Sequence, residues 1–377
     1  MTIENLTYTT TTWNCDNETI NSKDKVQLVL AFGDTDTFVN PEHYDYLQAR
    51  YPNAHIVGSS SSGNVLGAQV SESSVIATAI FFEHSDVKLS VVDFTQDDDL
   101  HAISTQVVSQ LPNENLKSIF IISDGLYMNG TTLAQSAHLA KPNTLITGGL
   151  AGDDARFEKT VIMANDSAKE KRVLALGFYG DKLHVSSGCY AGWDEFGAER
   201  IITKSEGNVV YEINNEPALE PYKRYLGDEA KNLPGSGLRF PLSIRETDSA
   251  NSIIRTVLAV CEEDNSLTFA GDVPQGYIAK LMKTNIDGLI DGSEMAAKDI
   301  VQANNNDALG LVVSCVGRKL VMKDLTDEEL EAIEDTVGKN VHLTGFYSYG
   351  ELAPFSSEIL NCQLHNQTMT LTVIYED

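Results

Sequence analysis

Residues 27–34 read QLVLAFGD, and residues 54–63 read AHIVGSSSSG. The first is a short apolar run closed by Gly33 and Asp34, the pattern of a strand buried on both faces that opens into a loop. Asn40-Pro41 follows, a capping amide and then a proline whose fixed φ suits the first helical position, so a helix is predicted to about Arg50. Residues 54–57 are a second strand, ending in the serine-rich loop GSSSSG. Strand, helix, strand, loop sets the class as mixed α/β.

The same signals continue outward. Residues 74–82 and 87–94 read as paired strands around a polar turn. Asp99 caps a helix that Pro112 stops, 116–122 is another buried strand, and 130–141 is helical. A strand at 144–147, a glycine turn at 148–154 and an antiparallel meander over 158–185 follow. Residues 25–200 are therefore expected to form an α/β domain, a sheet sandwiched by helices. Residues 201–377 are expected to form a β-rich α+β domain. Its predicted parts include a strand at 208–213, a hairpin of 253–261 with 266–269, and a helix from Ser293 to Ala303. An apolar strand at 309–316, an acidic helix after Thr326, and two closing strands at 341–349 and 362–375 complete it. No period of 20–50 residues recurs, which excludes a solenoid.

Composition narrows the function. The 377 residues carry 27 Lys+Arg against 54 Asp+Glu, a formal net charge of −27. A phosphate backbone would be repelled by that excess, and no basic patch offsets it, so nucleic-acid binding is not expected. No apolar run approaches the roughly 18 residues of a membrane span. The N-terminus lacks a basic start and an apolar core, so a cytoplasmic protein without membrane insertion is expected. The five cysteines are odd in number and form no CxxC pair, which fits a reducing compartment.

Catalytic signatures are missing. GSSSSG is not a G-x-S-x-G elbow, because Ser62 stands where glycine is needed; it reads as a tight turn whose hydroxyls bond its own backbone. The turn around Gly149 and Asp153 is neither a dinucleotide fingerprint nor a Walker loop. It could offer carboxylates to a ligand amine, or be a glycine turn with a solvated acidic tip. None of the eight histidines pairs at HxH, HxxxH or HExxH spacing. A single haem ligand needs no neighbour, so His184 and His365 are candidates, each also readable as a hydrogen-bonded strand histidine. In the last third, Arg318 ends an apolar strand, and Tyr347, Tyr349 and Glu351 interleave aromatics with a carboxylate. Asn366 lies in the closing strand. This set suits a small zwitterion or a carboxylate-bearing cofactor, and equally an Arg–Glu ion pair fastening two strands.

At these residues the sequence resembles the FIST family, a sensory input module with N-terminal and C-terminal parts. The likeness runs through VGSSSSG at 57–63, GGLAGD at 148–153, Gly188-Cys189 with Gly192-Trp193, and Gly207-Asn208 with Glu216-Pro217-Ala218-Leu219. It continues through Ser314-Cys315 with Gly317-Arg318, Phe346-Tyr347 with Tyr349-Gly350-Glu351, and Asn366-Gln367-Thr368-Met369. The first loop departs from the family pattern, with Ser59 in place of a common Cys and Asn64 in place of a common Glu. The resemblance implies a sensor of small ligands, amino acids having been proposed; with no nucleophile–base set or metal cage visible in the sequence, no enzyme is expected. A NosP-type subset implies haem and nitric oxide, with His184 as axial ligand and His365 and Cys189 in reserve. Because two halves use all this length, output is expected through a separate partner. The partner would be a histidine kinase of a two-component system, or a diguanylate cyclase or phosphodiesterase; a homodimer is a further expectation.

Overall fold

The strand Leu28–Gly33 is buried along its whole length, and His55–Ser60 pairs with it in parallel after the helix Pro41–Arg50. Asn40 caps that helix through the Glu42 amide, with Pro41 in the first turn, as the dipeptide predicts. These elements belong to a computed structural model that describes residues 1–9, 11–15, 18–71, 75–249, 251–300, 306–356 and 359–377. The predicted strand start at Ser74 and helix end at Ala303 lie outside the described residues.

The same unit occurs three times. Leu116–Ser123 and Leu145–Leu150 are parallel across the helix Gly130–Ala140. Ala308–Cys315 and Val341–Ser348 are parallel, with the helix Asp327–Val337 between them in the chain. On its far side each first strand pairs antiparallel with a later one: Val75–Phe81, Arg172–Tyr179 and Met369–Glu376. Each of those pairs in turn with the strand that opens its repeat: Thr2–Thr9, Asp86–Asp93 and Leu183–Tyr190. The third repeat is interrupted after Tyr190 by a separate sheet with its own apolar core, running from Asp194–Glu206 to Ile278–Lys283.

Each repeat also lends a strand to another. After His55–Ser60 the chain crosses and Asn64–Leu66 pairs with Val341–Ser348. After Val341–Ser348, Gly350–Ser356 pairs with Leu145–Leu150. After Leu145–Leu150, Ile162–Ala164 pairs with His55–Ser60. The exchange closes on itself. Three matching backbone bonds mark the crossings: Ser62 N–H to Tyr347 O at 2.9 Å, Tyr349 N–H to Leu150 O at 3.1 Å, and Gly152 N–H to Ser60 O at 3.3 Å. The inner faces enclose one core, in which Phe32 stacks on Phe346 at 4.9 Å and Phe120, Ile122, Leu311 and Val313 join them. Helices cover the outer faces.

The mixed α/β class stands, and four expectations are corrected. Val75–Phe81 and Asp86–Asp93 do not pair; they close one repeat and open the next, in different sheets. The meander is not one sheet, since Ile162–Ala164, Arg172–Tyr179 and Leu183–Tyr190 each join a different sheet. The closing run splits into Ile359–His365 and Met369–Glu376, and Gln367 sits at φ 61° where the chain changes sheets. The helix after residue 285 is Ile286–Lys298, capped by Asn285 rather than Ser293.

Candidate functional site

The three crossings end in loops of different character. In GSSSSG, Ser61 donates to Asn64 Oδ1 at 2.5 Å and its oxygen accepts the Gly63 amide at 3.2 Å, the self-bonded turn expected. Ser60 and Ser62 hydroxyl oxygens accept the amides of Val161 and Asp154, tying this turn to the crossing that follows Leu145–Leu150.

The crossing that follows Leu145–Leu150 is built around Asp153. Its buried carboxylate accepts the amides of Phe157 at 2.9 Å and of Glu158 and Lys159 at 2.8 Å, and also the hydroxyl of Tyr349. Four donors on one carboxylate fold the loop tightly. Asp154, Ala155 and Phe157 consequently hold φ of 60°, 58° and 55°, a region non-glycine residues seldom occupy. Phe157 lies over the Tyr349 ring at 4.4 Å between centroids and 13° between planes. Burial, then the Asp153 carboxylate, push the Tyr349 hydroxyl well above its usual titration range, so it stays a donor.

Tyr349 and Phe157 form part of the wall of a cleft of about 370 Å³. The rest comes from the start of the helix Gly130–Ala140, from the inserted sheet and from the strand Ile359–His365, with Tyr127, Asn129, Phe269 and Leu364 among the lining residues. Asn129 caps the helix through the Thr132 amide and donates to Asp272 Oδ1 at 3.1 Å, so one side chain fixes both banks. Leu150, in the strand that pairs with Gly350–Ser356, lines the cleft as well. Aromatic and aliphatic walls with a few placed amides are what small organic ligands occupy. A larger cleft, about 750 Å³, lies between Trp193–Asp194, Lys283–Asn285 and the face of Ile286–Lys298 carrying Asp291 and Glu294. Its walls are open and mostly charged or polar.

The other predicted residues lie elsewhere. Arg318 is buried and fully engaged. It donates to Glu329 Oε2 from Nη2 at 2.7 Å and from Nε at 3.0 Å, and to Leu289 O, Ser293 Oγ and Ala191 O. Its carboxylate partner is Glu329, not Glu351, and the Tyr347 hydroxyl donates to Glu329 Oε1 at 2.5 Å. Glu351 is buried and accepts from Ser348 at 2.6 Å and Thr368 at 2.8 Å; burial pushes its carboxyl up to about 7 despite these bonds. The Asn366 amide bonds the backbone on both sides, and Gly149 faces the core against Val313. Tyr349 alone of these lines the smaller cleft, with Asp153 behind it. Phe157, Tyr127 and Phe269 carried no local signal that sequence reading could use.

The haem donors do not converge. His184 is half exposed, 2.6 Å from Asp377 and stacked on Tyr375. His365 is buried with Nε2 3.0 Å from Ala353 O, and burial lowers it to about 4. Burial raises the Cys189 thiol to about 11, so it stays protonated. No histidine or cysteine lines either cleft, and these residues do not fit a haem there.

Residues 27–216 match the FIST N domain, and residues 218–354 match the FIST C domain. The chain belongs to the FIST family. FIST domains are sensory domains of signalling proteins thought to bind small ligands. An uncharacterized protein of Methanocaldococcus jannaschii is 27% identical over 257 residues, 61% of this FIST chain and 48% of that protein. An uncharacterized protein of Mycobacterium tuberculosis is 22% identical over 253 residues, 62% of each chain. The match thus spans between about half and three fifths of these relatives' lengths. Among solved structures, a cyanuric acid hydrolase from A. caulinodans aligns at TM-score 0.34 and 8% identity, covering 94% of this chain and 91% of that one. A chorismatase aligns at 0.35 and 7%, covering 99% and 98%. In this FIST chain the 370 Å³ cleft takes its walls from both matched domains.

Proposed function

We propose that this FIST protein is a small-molecule sensor whose guest sits, chemically unchanged, in the cleft between Tyr349 and the inserted sheet. One observation carries the reading: Tyr349 belongs at once to the cleft wall and to the Asp153 knot that shapes an exposed loop. A guest there touches a group that also governs the surface, which is what a sensor requires. A separate signalling partner, a histidine kinase or a cyclic-di-GMP enzyme, would read that surface. None of the expected axial ligands, His184, His365 and Cys189, lines this cleft, which favours an organic guest over haem there.

Thermal-shift measurements with small aromatic and aliphatic fragments at millimolar concentration test it. Some fragments should stabilise the protein, and Leu258→Trp, which narrows the cleft at a half-exposed rim position, should abolish the shift. Fragments that act equally on both proteins, or on neither, would refute the reading.

A further inference from the structure

Phe157 is 46% exposed, and its backbone is held at φ 55°. An exposed bulky side chain on left-handed backbone is costly, and such conformations persist only where the surroundings over-determine them. Here the Asp153 carboxylate does so, through three backbone amides and the Tyr349 hydroxyl. The result is a phenyl ring laid nearly flat on a tyrosine inside the cleft, 13° from parallel. A stack of this kind is worth only a modest gain beyond the apolar area it covers.

We propose that Phe157 is a built-in stand-in for the guest, and that the guest is a flat aromatic ring that replaces it on the face of Tyr349. The inference rests on the function proposed above and names the ligand class of that site. When the ring arrives, Phe157 leaves its seat, and the strained turn at 154–157 loses the contact that keeps it pressed inward. Arg156 then matters, because its guanidinium spans from the Asp153 carbonyl at 2.9 Å to Asp36 at 2.8 Å, on the first repeat. Lys319 meets Asp154 at 3.1 Å from the third repeat. Release of the loop therefore changes contacts to both neighbouring repeats at an exposed face.

The probe is 2-naphthol, followed by its own fluorescence, with trypsin cleavage after Arg156 or Lys159 reporting the loop. Phe157→Ala removes the internal competitor and should tighten 2-naphthol binding about 2- to 10-fold. Bound 2-naphthol should speed cleavage of the unmodified protein at least several-fold. Tyr349→Phe keeps the ring but removes the hydroxyl from Asp153, so it should still bind 2-naphthol and be cleaved rapidly without it. Unchanged or weaker binding by Phe157→Ala, or binding with no change in cleavage, would overturn the proposal while leaving the cleft a ligand site. Absence of any fragment response that Leu258→Trp alters would remove the underlying reading as well.

Discussion

Arg318 and Glu329 show what a buried charge does when it is not a ligand anchor. Both side chains are inaccessible, and the guanidinium is matched by a carboxylate, a serine and backbone carbonyls. Removing one partner strands the other without water, so Glu329→Ala should cost about 3–5 kcal/mol in urea unfolding. Glu351 makes a different prediction. Its folded carboxyl titrates near 7 against 4.5 for the free group, because burial disfavours the charge. Between those values the folded protein holds a proton that the unfolded chain has released. This residue's contribution is therefore full below pH 4.5 and falls as pH rises, by about 3 kcal/mol in all, until about pH 7. Urea midpoints measured across that range should show the slope, and Glu351→Gln should flatten it. A slope that persists in the variant would assign it to other groups.

At the scale of the elements, three glycines make the parallel pairs possible. Gly58, Gly148 and Gly345 occupy the same position in their repeats, opposite Ala31, Ile121 and Val312. A Cβ there would fall 1.6, 2.0 and 1.8 Å from the opposing carbonyl oxygens. Gly345→Ala should thus abolish soluble folding or lower Tm by well over 10 °C, a clash of backbone against side chain within a packed core. Gly207, at φ 55° with open space around it, should tolerate alanine at a cost of about 1 kcal/mol. The strands and capped helices of the first two repeats were legible because apolar runs, Asn-Pro and Asp99 act locally. The strand exchange was not. A run such as Val75–Phe81 is buried on both faces and carries no mark of which sheet will take it. The repeat is also long, with opening strands at Thr2, Asp86 and Leu183, and an inserted sheet hides the third copy. The site was legible only at Tyr349 and Asp153, which glycines and aromatics flag; Phe157 and Phe269 meet them through folding alone.

The whole molecule divides into regions of unequal connection. The three repeats are joined by reciprocal strand exchange, so none of their sheets can open without breaking another's edge pairing. The inserted sheet shares no strand pairing with them among the described residues, and keeps its own core of Ile202, Val210, Leu267, Phe269 and neighbours. It meets the repeats through side-chain contacts: Arg255 to Leu364 O at 3.0 Å, Gln367 to Leu238 O at 3.1 Å, and Asn129 to Asp272. Cooperative units of native proteins follow such boundaries. Amides of 196–282 should therefore exchange at lower denaturant than those of Leu28–Gly33, Leu116–Ser123 and Ala308–Cys315. Because the cleft lies across this seam, with Leu150 and Tyr349 on one bank and Phe269 on the other, a bound ring must hold the banks together. Saturating 2-naphthol should raise protection in 196–282 while leaving the strand-exchanged core unchanged. A single transition for all these amides, with or without the probe, would mean that the insert and the repeats open as one and that occupancy of the cleft has no separate element to bias.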